Sequence, residues 1–227
     1  MLAFLFGVIV AAGLFGSTDP AENVAPILTW TVWWGGLALL VLYGGHIWCF
    51  ACPWDTIAGF IQMPPFLRDR FRRPFTLGWR WPRWLRSVHV ATVCLVAFSW
   101  VELGLHVSVD PRLTAYLALA ILGMAIVSAL LFERRAFCRY GCLVGRTIGM
   151  YAGTGGVELR HIDTKVCLGC VTKDCFMGNE KGAPCPTWEF PGAMQTSTYC
   201  LLCAECPRTC PHDNISISVR PWGGDLE

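Results

Sequence analysis

The chain has 227 residues, 54% of them hydrophobic, with a formal net charge of +2 and a mean hydropathy of +0.47, which is high for a water-soluble domain. Thirteen cysteines point to metal ligation before disulfides. Residues 1–150 carry 12 basic and 7 acidic side chains and residues 151–227 carry 6 and 9; this asymmetry belongs to membrane topology, and nothing in it suggests a nucleic-acid partner.

A helix needs about 20 mostly apolar residues to cross the hydrocarbon core. Four stretches are read as spans: 2–16, short but wholly apolar, then 27–47, 88–107 and 113–132. The first lacks the basic residue that normally precedes a signal peptide, and is expected to be kept as a span. Arginines set the orientation. Arg68, Arg70, Arg72, Arg73, Arg80, Arg83 and Arg86 lie between spans two and three, and Arg134, Arg135, Arg139 and Arg146 follow span four. The opposite loops contain only Arg112. By the positive-inside rule both termini are cytoplasmic, in an inner (cytoplasmic) membrane protein. The loop 54–86 mixes Trp54, Phe60, Phe66, Phe71, Phe75, Trp79, Trp81 and Trp84 with seven arginines. Such a segment is expected to lie in the membrane interface against lipid headgroups, and it could also roof a quinone pocket or dock a partner.

Two cysteine pairs follow spans two and four: Cys49-Phe-Ala-Cys52-Pro53 and Cys138-Arg-Tyr-Gly-Cys142. Both are expected on the cytoplasmic side. Four thiolates from two helix ends could hold a third Fe–S or other metal centre. Alternatively, each pair is a dithiol that is redox-active or handles copper, or simply a pair of small buried residues. Cys94, alone in span three, reads as core packing.

The remaining eight cysteines lie in residues 151–227. Cys200-Leu-Leu-Cys203-Ala-Glu-Cys206-Pro-Arg-Thr-Cys210-Pro211 has the bacterial ferredoxin spacing, in which the fourth cysteine ligates the other cluster of a pair. Upstream stand Cys167, Cys170 and Cys175, and then Cys185-Pro186. The crossing rule gives Cys167, Cys170, Cys175 and Cys210 to one [4Fe–4S] cluster, and Cys200, Cys203, Cys206 and Cys185 to a second. The first run departs from the usual spacing, with four residues before Cys175. Disulfides leave the triplet spacing unexplained and need an oxidising compartment. Zinc prefers two C-x2-C pairs.

Cysteine pairs after two membrane helices, followed by a double-cluster domain, resemble the NapH/NosR group of membrane polyferredoxins over essentially the whole chain. The first pair is C-x2-C-P rather than the family's C-x3-C-P, and Leu143 stands where the second pair would have its proline. The expected fold is an all-α membrane domain of four transmembrane helices (1–150), both termini cytoplasmic. A small α+β bacterial-type 2[4Fe–4S] ferredoxin domain (151–227) follows, closed by a strand at Ile215–Arg220. The resemblance implies an electron-transfer subunit between the quinone pool and other subunits of a membrane redox complex. His46 and His89, at the cytoplasmic ends of spans two and three, are candidates to take a quinol proton. They could also be wet interfacial histidines or bis-histidine haem ligands. Glu102 and His106 could mark a proton exit or be an interfacial polar pair. A copper-handling assembly factor resembling the CcoG/FixG reductases is the alternative, with Cys49, Cys52, Cys138 and Cys142 meeting copper; a third is an anchor with structural clusters.

Overall fold

The computed structural model describes residues 1–62 and 75–226. Phe66, Arg68, Arg70, Phe71, Arg72 and Arg73 of the expected interfacial loop lie outside the described residues. In chain order the helices are α1 (Leu2–Phe15), α2 (Val24–Pro26), α3 (Trp34–Gly44), α4 (Trp48–Ala51), α5 (Pro53–Gln62), α6 (Val88–Gly104), α7 (Pro111–Leu131) and α8 (Leu143–Tyr151). Strand β1 (Val157–His161) follows, then α9 (Thr164–Gly169), α10 (Asp174–Met177), α11 (Glu205–Thr209) and strand β2 (Ile215–Val219).

Two compact units result, and they do not break where composition does. One comprises Met1–Ala38 and Ala51–Leu143, the other Leu39–Phe50 and Val144–Glu227. Residues 39–50, expected in the membrane domain, therefore fold with the cysteine-rich half. The reason is a close backbone crossing inside that second unit. A Cβ on Gly155 would stand 2.9 Å from the Gly45 nitrogen, and Gly45 itself has φ +55, so only glycine fits on either side.

The first unit is organised on α7. Asp110 caps that helix, accepting from the amides of Arg112 and Leu113, and Pro111 opens it. Its buried residues Pro111, Thr114, Ala115, Ala118, Ala125 and Ser128 are all small, so neighbouring backbones approach closely. Helix α1 uses this at Gly13, where a Cβ would meet the Pro111 carbonyl oxygen at 2.6 Å and the Ala115 methyl at 2.7 Å. We predict that Gly13→Leu destabilises the unit by about 1–3 kcal/mol through overpacking. Denaturant midpoints of wild type and variant in micelles check this, and equal midpoints would refute the packing argument.

Val24–Gln62 and Pro111–Leu131 are long and apolar enough to cross a membrane. Helix α1, with 14 residues, and α6, with 17, would reach about 21 and 25 Å, short of a hydrocarbon core of about 30 Å. Val24–Gln62 is not a straight rod. The Trp33 and Trp54 rings are 5.8 Å apart, whereas 21 helical residues would separate them by about 31 Å. Instead the chain meets α7 twice. Trp30 Nε1 donates to Thr114 Oγ1, and after the excursion through residues 34–51, Trp54 Nε1 donates to the Ala118 carbonyl. Gln62 then donates to the Ala129 carbonyl at 2.8 Å, so α5 runs parallel to α7. Residues 54–62, expected at the start of an interfacial loop, thus belong to a packed helix, α5, that buries Pro53 and Ala58. Residues 75–86 of that segment reach the end of α7. Leu77 and Trp79 donate backbone bonds to Leu130 and Leu131, and Trp81 stacks on Tyr140, whose ring also meets the guanidinium groups of Arg86 and Arg139. Cys94 is exposed on α6 rather than packed in a core, because α6 turns most of its described side chains outward.

In the second unit β1 and β2 pair antiparallel, with Val157 opposite Val219 and His161 opposite Ile215. The strand expected at 215–220 is β2; its partner β1, Val-Glu-Leu-Arg-His, was not singled out from sequence. The sheet joins the two ends of the cysteine-rich segment. Leu159 and Ile215 form a core with Cys175, Cys206 and Cys210.

Candidate metal centres

The cysteine runs are bent by residues with positive φ. Lys173 (φ 49) turns the chain into α10, which carries Cys175, and Ala204 (φ 57) turns it into α11, which carries Cys206. In each half a left-handed residue therefore stands two positions before the third cysteine. The longer gap before Cys175 is absorbed ahead of that common turn. Leu202 (φ 51) adds a second bend to the tighter run. Asp163 caps α9, which brings in Cys167.

These turns sort the thiols into two sets. Cys175 feels Cys210, Cys167 and Cys170, and Cys167 feels Cys210 and Cys170. Cys206 feels Cys185, Cys203 and Cys200, and Cys200 feels Cys203 and Cys185. Cys210 and Cys185 thus each join the set that does not follow from chain order. Cys185, Cys200, Cys203 and Cys206 line one cavity together with Leu159, Met194 and Leu201 and with the polar Thr187 and Glu189.

Backbone and amide N–H groups point at the sulfurs. Asn214 donates from Nδ2 to Cys167 Sγ at 3.2 Å and from its backbone to Cys210 Sγ at 3.4 Å. Glu189 N–H donates to Cys185 Sγ at 3.2 Å. Burial pushes the Cys175 thiol up to about 11 and the Cys200 thiol up to about 12, and neighbouring cysteines add to both shifts. A hydrogen bond from Cys206 lowers the Cys185 thiol and raises Cys206 in turn. Cations entering these sites displace protons. Among the described residues no three His, Cys, Asp or Glu side chains converge tightly enough for one metal ion. A cubane holds its thiolates at the corners of a larger body, and all-thiolate sets of four with N–H donors are the chemistry it takes. The residues present fit that group.

The membrane-side cysteines divide between the units. Cys52, Cys138 and Cys142 belong to the first, where Cys52 feels Cys142 and Cys138 donates to Asp55 Oδ1 at 3.2 Å. Asp55 also forms a 3.0 Å ion pair with Arg135. Cys49, buried in α4, belongs to the second unit.

The histidines differ from one another. His46 is 2% exposed, and its Nδ1 lies 3.0 Å from the Thr198 carbonyl, two residues before Cys200. It is a buried staple of the second unit rather than a wet interfacial group. His89 is exposed in the first turn of α6, its amide donating to the Ser87 cap. His106 adopts φ 53 in the turn into α7, where its carbonyl accepts from Val109 and Asp110, and Glu102 is partly buried. Asn214 and the Asp55–Arg135 pair were not singled out from sequence. For Asp55 a signal existed, a lone carboxylate three residues past Cys52. No family model, curated protein or solved structure matches the chain.

Proposed function

We propose that this chain is a membrane electron-transfer subunit, passing electrons between the quinone pool and a partner redox protein through two [4Fe–4S] clusters on the cytoplasmic side. The observation that carries this is the partition of eight cysteines into two crossed sets of four. Cys167, Cys170, Cys175 and Cys210 would hold one cluster, and Cys185, Cys200, Cys203 and Cys206 the other. Bound clusters would supply one-electron redox chemistry. The protein's own part is to exclude water with the Leu159–Ile215 core and to aim N–H donors at the ligating sulfurs. Four transmembrane helices and a ferredoxin domain belong to this proposal.

The test is an iron count with EPR, followed by addition of a quinol. About eight irons per chain and quinol-dependent cluster reduction are expected. Clusters that no quinol reduces, even with the partner present, would overturn the function. Hydrogen bonds to cluster sulfurs stabilise the more negative reduced state, so Asn214→Ala is expected to lower the potential of the cluster at Cys167. A redox titration reads this directly, and an unchanged or higher potential would remove Asn214 from that role. A second reading, copper handling by the membrane-side thiols, is supported by the proximity of Cys52 to Cys142. Copper that co-purifies and is lost on Cys52→Ser would favour it.

A further inference from the structure

Past β2 the second unit ends in a tightly held turn, residues 221–226. Gly223 N–H donates to the Thr154 carbonyl at 3.3 Å, and Leu226 N–H closes back onto the Gly223 carbonyl at 2.8 Å. The buried Arg220–Asp225 pair clamps the turn from either end. A Cβ on Gly156 would stand 3.1 Å from the Trp222 indole nitrogen, so the ring lies directly against that glycine. Residues near a chain end ordinarily fray unless something ties them down. This turn is tied down, yet its two largest apolar side chains stay outside, Trp222 at 64% and Leu226 at 71% exposed.

The neighbouring helix shows what covers them. Trp222 meets the Tyr43 ring edge-on, with centroids 5.7 Å apart. Tyr43 stands in the last turn of α3, within a stretch that has no charged residue between Glu22 and Asp55. That stretch lies in one of the two segments long and apolar enough to cross a membrane. Leu39, one helical turn before Tyr43, is exposed, and so is Leu42. A helix apolar on every side is either enclosed by protein or bathed in lipid, and these side chains are not enclosed. Tyrosine and tryptophan collect at headgroup depth, where the ring meets hydrocarbon and its O–H or N–H stays wet. A water-soluble partner docked on Trp222 and Leu226 would leave Leu39 and Leu42 uncovered. A bilayer covers all four.

We propose that the turn 221–226 is a lipid anchor, with Trp222 seated at the headgroup boundary beside Tyr43 and Leu226 among the upper acyl carbons. This rests on the membrane reading given above and adds the surface by which the cysteine-rich unit meets lipid. Arg220 also reaches the carbonyls of Ala152 and Gly155, so the anchor is fastened to the start of β1. The sheet that joins the two ends of the cysteine-rich segment then cannot swing from the bilayer without drawing Trp222 and Leu226 into water.

The test uses the full chain in phosphatidylcholine nanodiscs containing a phospholipid with a diazirine high on its acyl chain, with adducts mapped by mass spectrometry. Adducts are expected in residues 221–226 as well as in α3 and α7. None is expected on Val171, which at 93% exposed controls for mere accessibility. Trp222→Ser combined with Leu226→Ser should lose the adducts in the turn and keep those in α3 and α7. Trp222→Phe, which keeps a ring against Tyr43, supplies a second measurement. The fluorescence it removes from the wild type should be quenched by brominated acyl chains and shielded from iodide. Adducts in α3 and α7 but none in the turn, or as many on Val171 as in the turn, would overturn the anchor and leave the membrane reading standing. Iodide quenching without quenching by bromine would do the same. Adducts in the turn that appear only when each nanodisc holds a single chain would assign the face to a second copy and also overturn the anchor. No adducts in α3, α7 or the turn would overturn the membrane reading itself, and the anchor with it.

Discussion

Replacing Cys210 by serine is expected to abolish the cluster of the first cysteine run and spare the cluster of the run in which Cys210 itself stands. Iron should fall from about eight to about four per chain. The spectrum that survives should match that of Cys167→Ser, not that of Cys200→Ser. The crossing follows from the backbone. After Cys206 the short helix α11 ends, and Cys210 caps it in an extended conformation, φ −66 and ψ 120, leaving its own loop. Cys210 then lies among Cys167, Cys170 and Cys175, with the Asn214 amide on its sulfur. Cys185→Ser is the mirror experiment and should spare the first-run cluster. If Cys210→Ser instead matched Cys200→Ser, each run would hold its own cluster, and the partition described above would be wrong. Full loss of both clusters in every variant would be uninformative on pairing, so reconstitution with limiting iron provides the second measurement. Under limiting iron the two spectra should appear in different proportions in Cys210→Ser and Cys185→Ser.

The second large effect is in the charge cluster that closes the same unit. Asp225 and Arg220 have side chains 4% and 5% exposed and are paired, and Arg160 reaches the same carboxylate. Ser197 N–H donates to its other oxygen at 2.6 Å. Arg220 continues to the carbonyls of Ala152 and Gly155, at 3.0 and 2.9 Å, tying the C-terminal turn to the start of β1. Asp225→Ala leaves Arg220 buried with only the 3.4 Å contact to Glu158 as an ion pair. Breaking a buried pair from one side costs about 3–5 kcal/mol, and we expect about 3 because Glu158 remains. A urea titration of the full chain followed by cluster absorbance measures it, and a midpoint shift worth less than about 1 kcal/mol would show that the pair contributes little. Burial alone would raise the Asp225 pKa, but the hydrogen bonds from Arg220 and Ser197 and the two guanidinium charges outweigh it, and the net shift is downward. A lowered carboxylate contributes stability that is complete above the ordinary aspartate range of about 4. That stability is lost as pH falls through the lower folded value. The wild type should therefore lose stability more steeply than Asp225→Ala on acidification below pH ~4.

Much of the second unit was legible in the amino acids because its information is local. Three cysteines at fixed short spacing specify a loop, and Cys-Pro specifies an exit from it. The strand at 215–219 was legible too, from alternating Ile, Ser and Val. Its partner at 157–161 was missed, because Val-Glu-Leu-Arg-His shows only two apolar positions, Val157 and Leu159, too short an alternation to stand out without its pairing to β2. The two histidines were indistinguishable by position in the sequence. Burial and the Thr198 carbonyl make His46 a staple, whereas His89 stays at an exposed helix start.

The membrane half shows the opposite balance. Hydropathy marks apolar stretches but assumes that each is one rod. Residues 24–62 satisfy that test and still meet α7 twice, because Trp33 and Trp54 pack together and α5 finds the small-residue face of α7. Residue spacing alone determined which eight cysteines belong to two crossed sets, since ligand spacing is a property of the chain. Tertiary structure alone decided which remote groups complete them. Asn214 beside Cys167 and Asp55 beside Arg135 are separated by dozens of residues from their partners, and only packing brings them together.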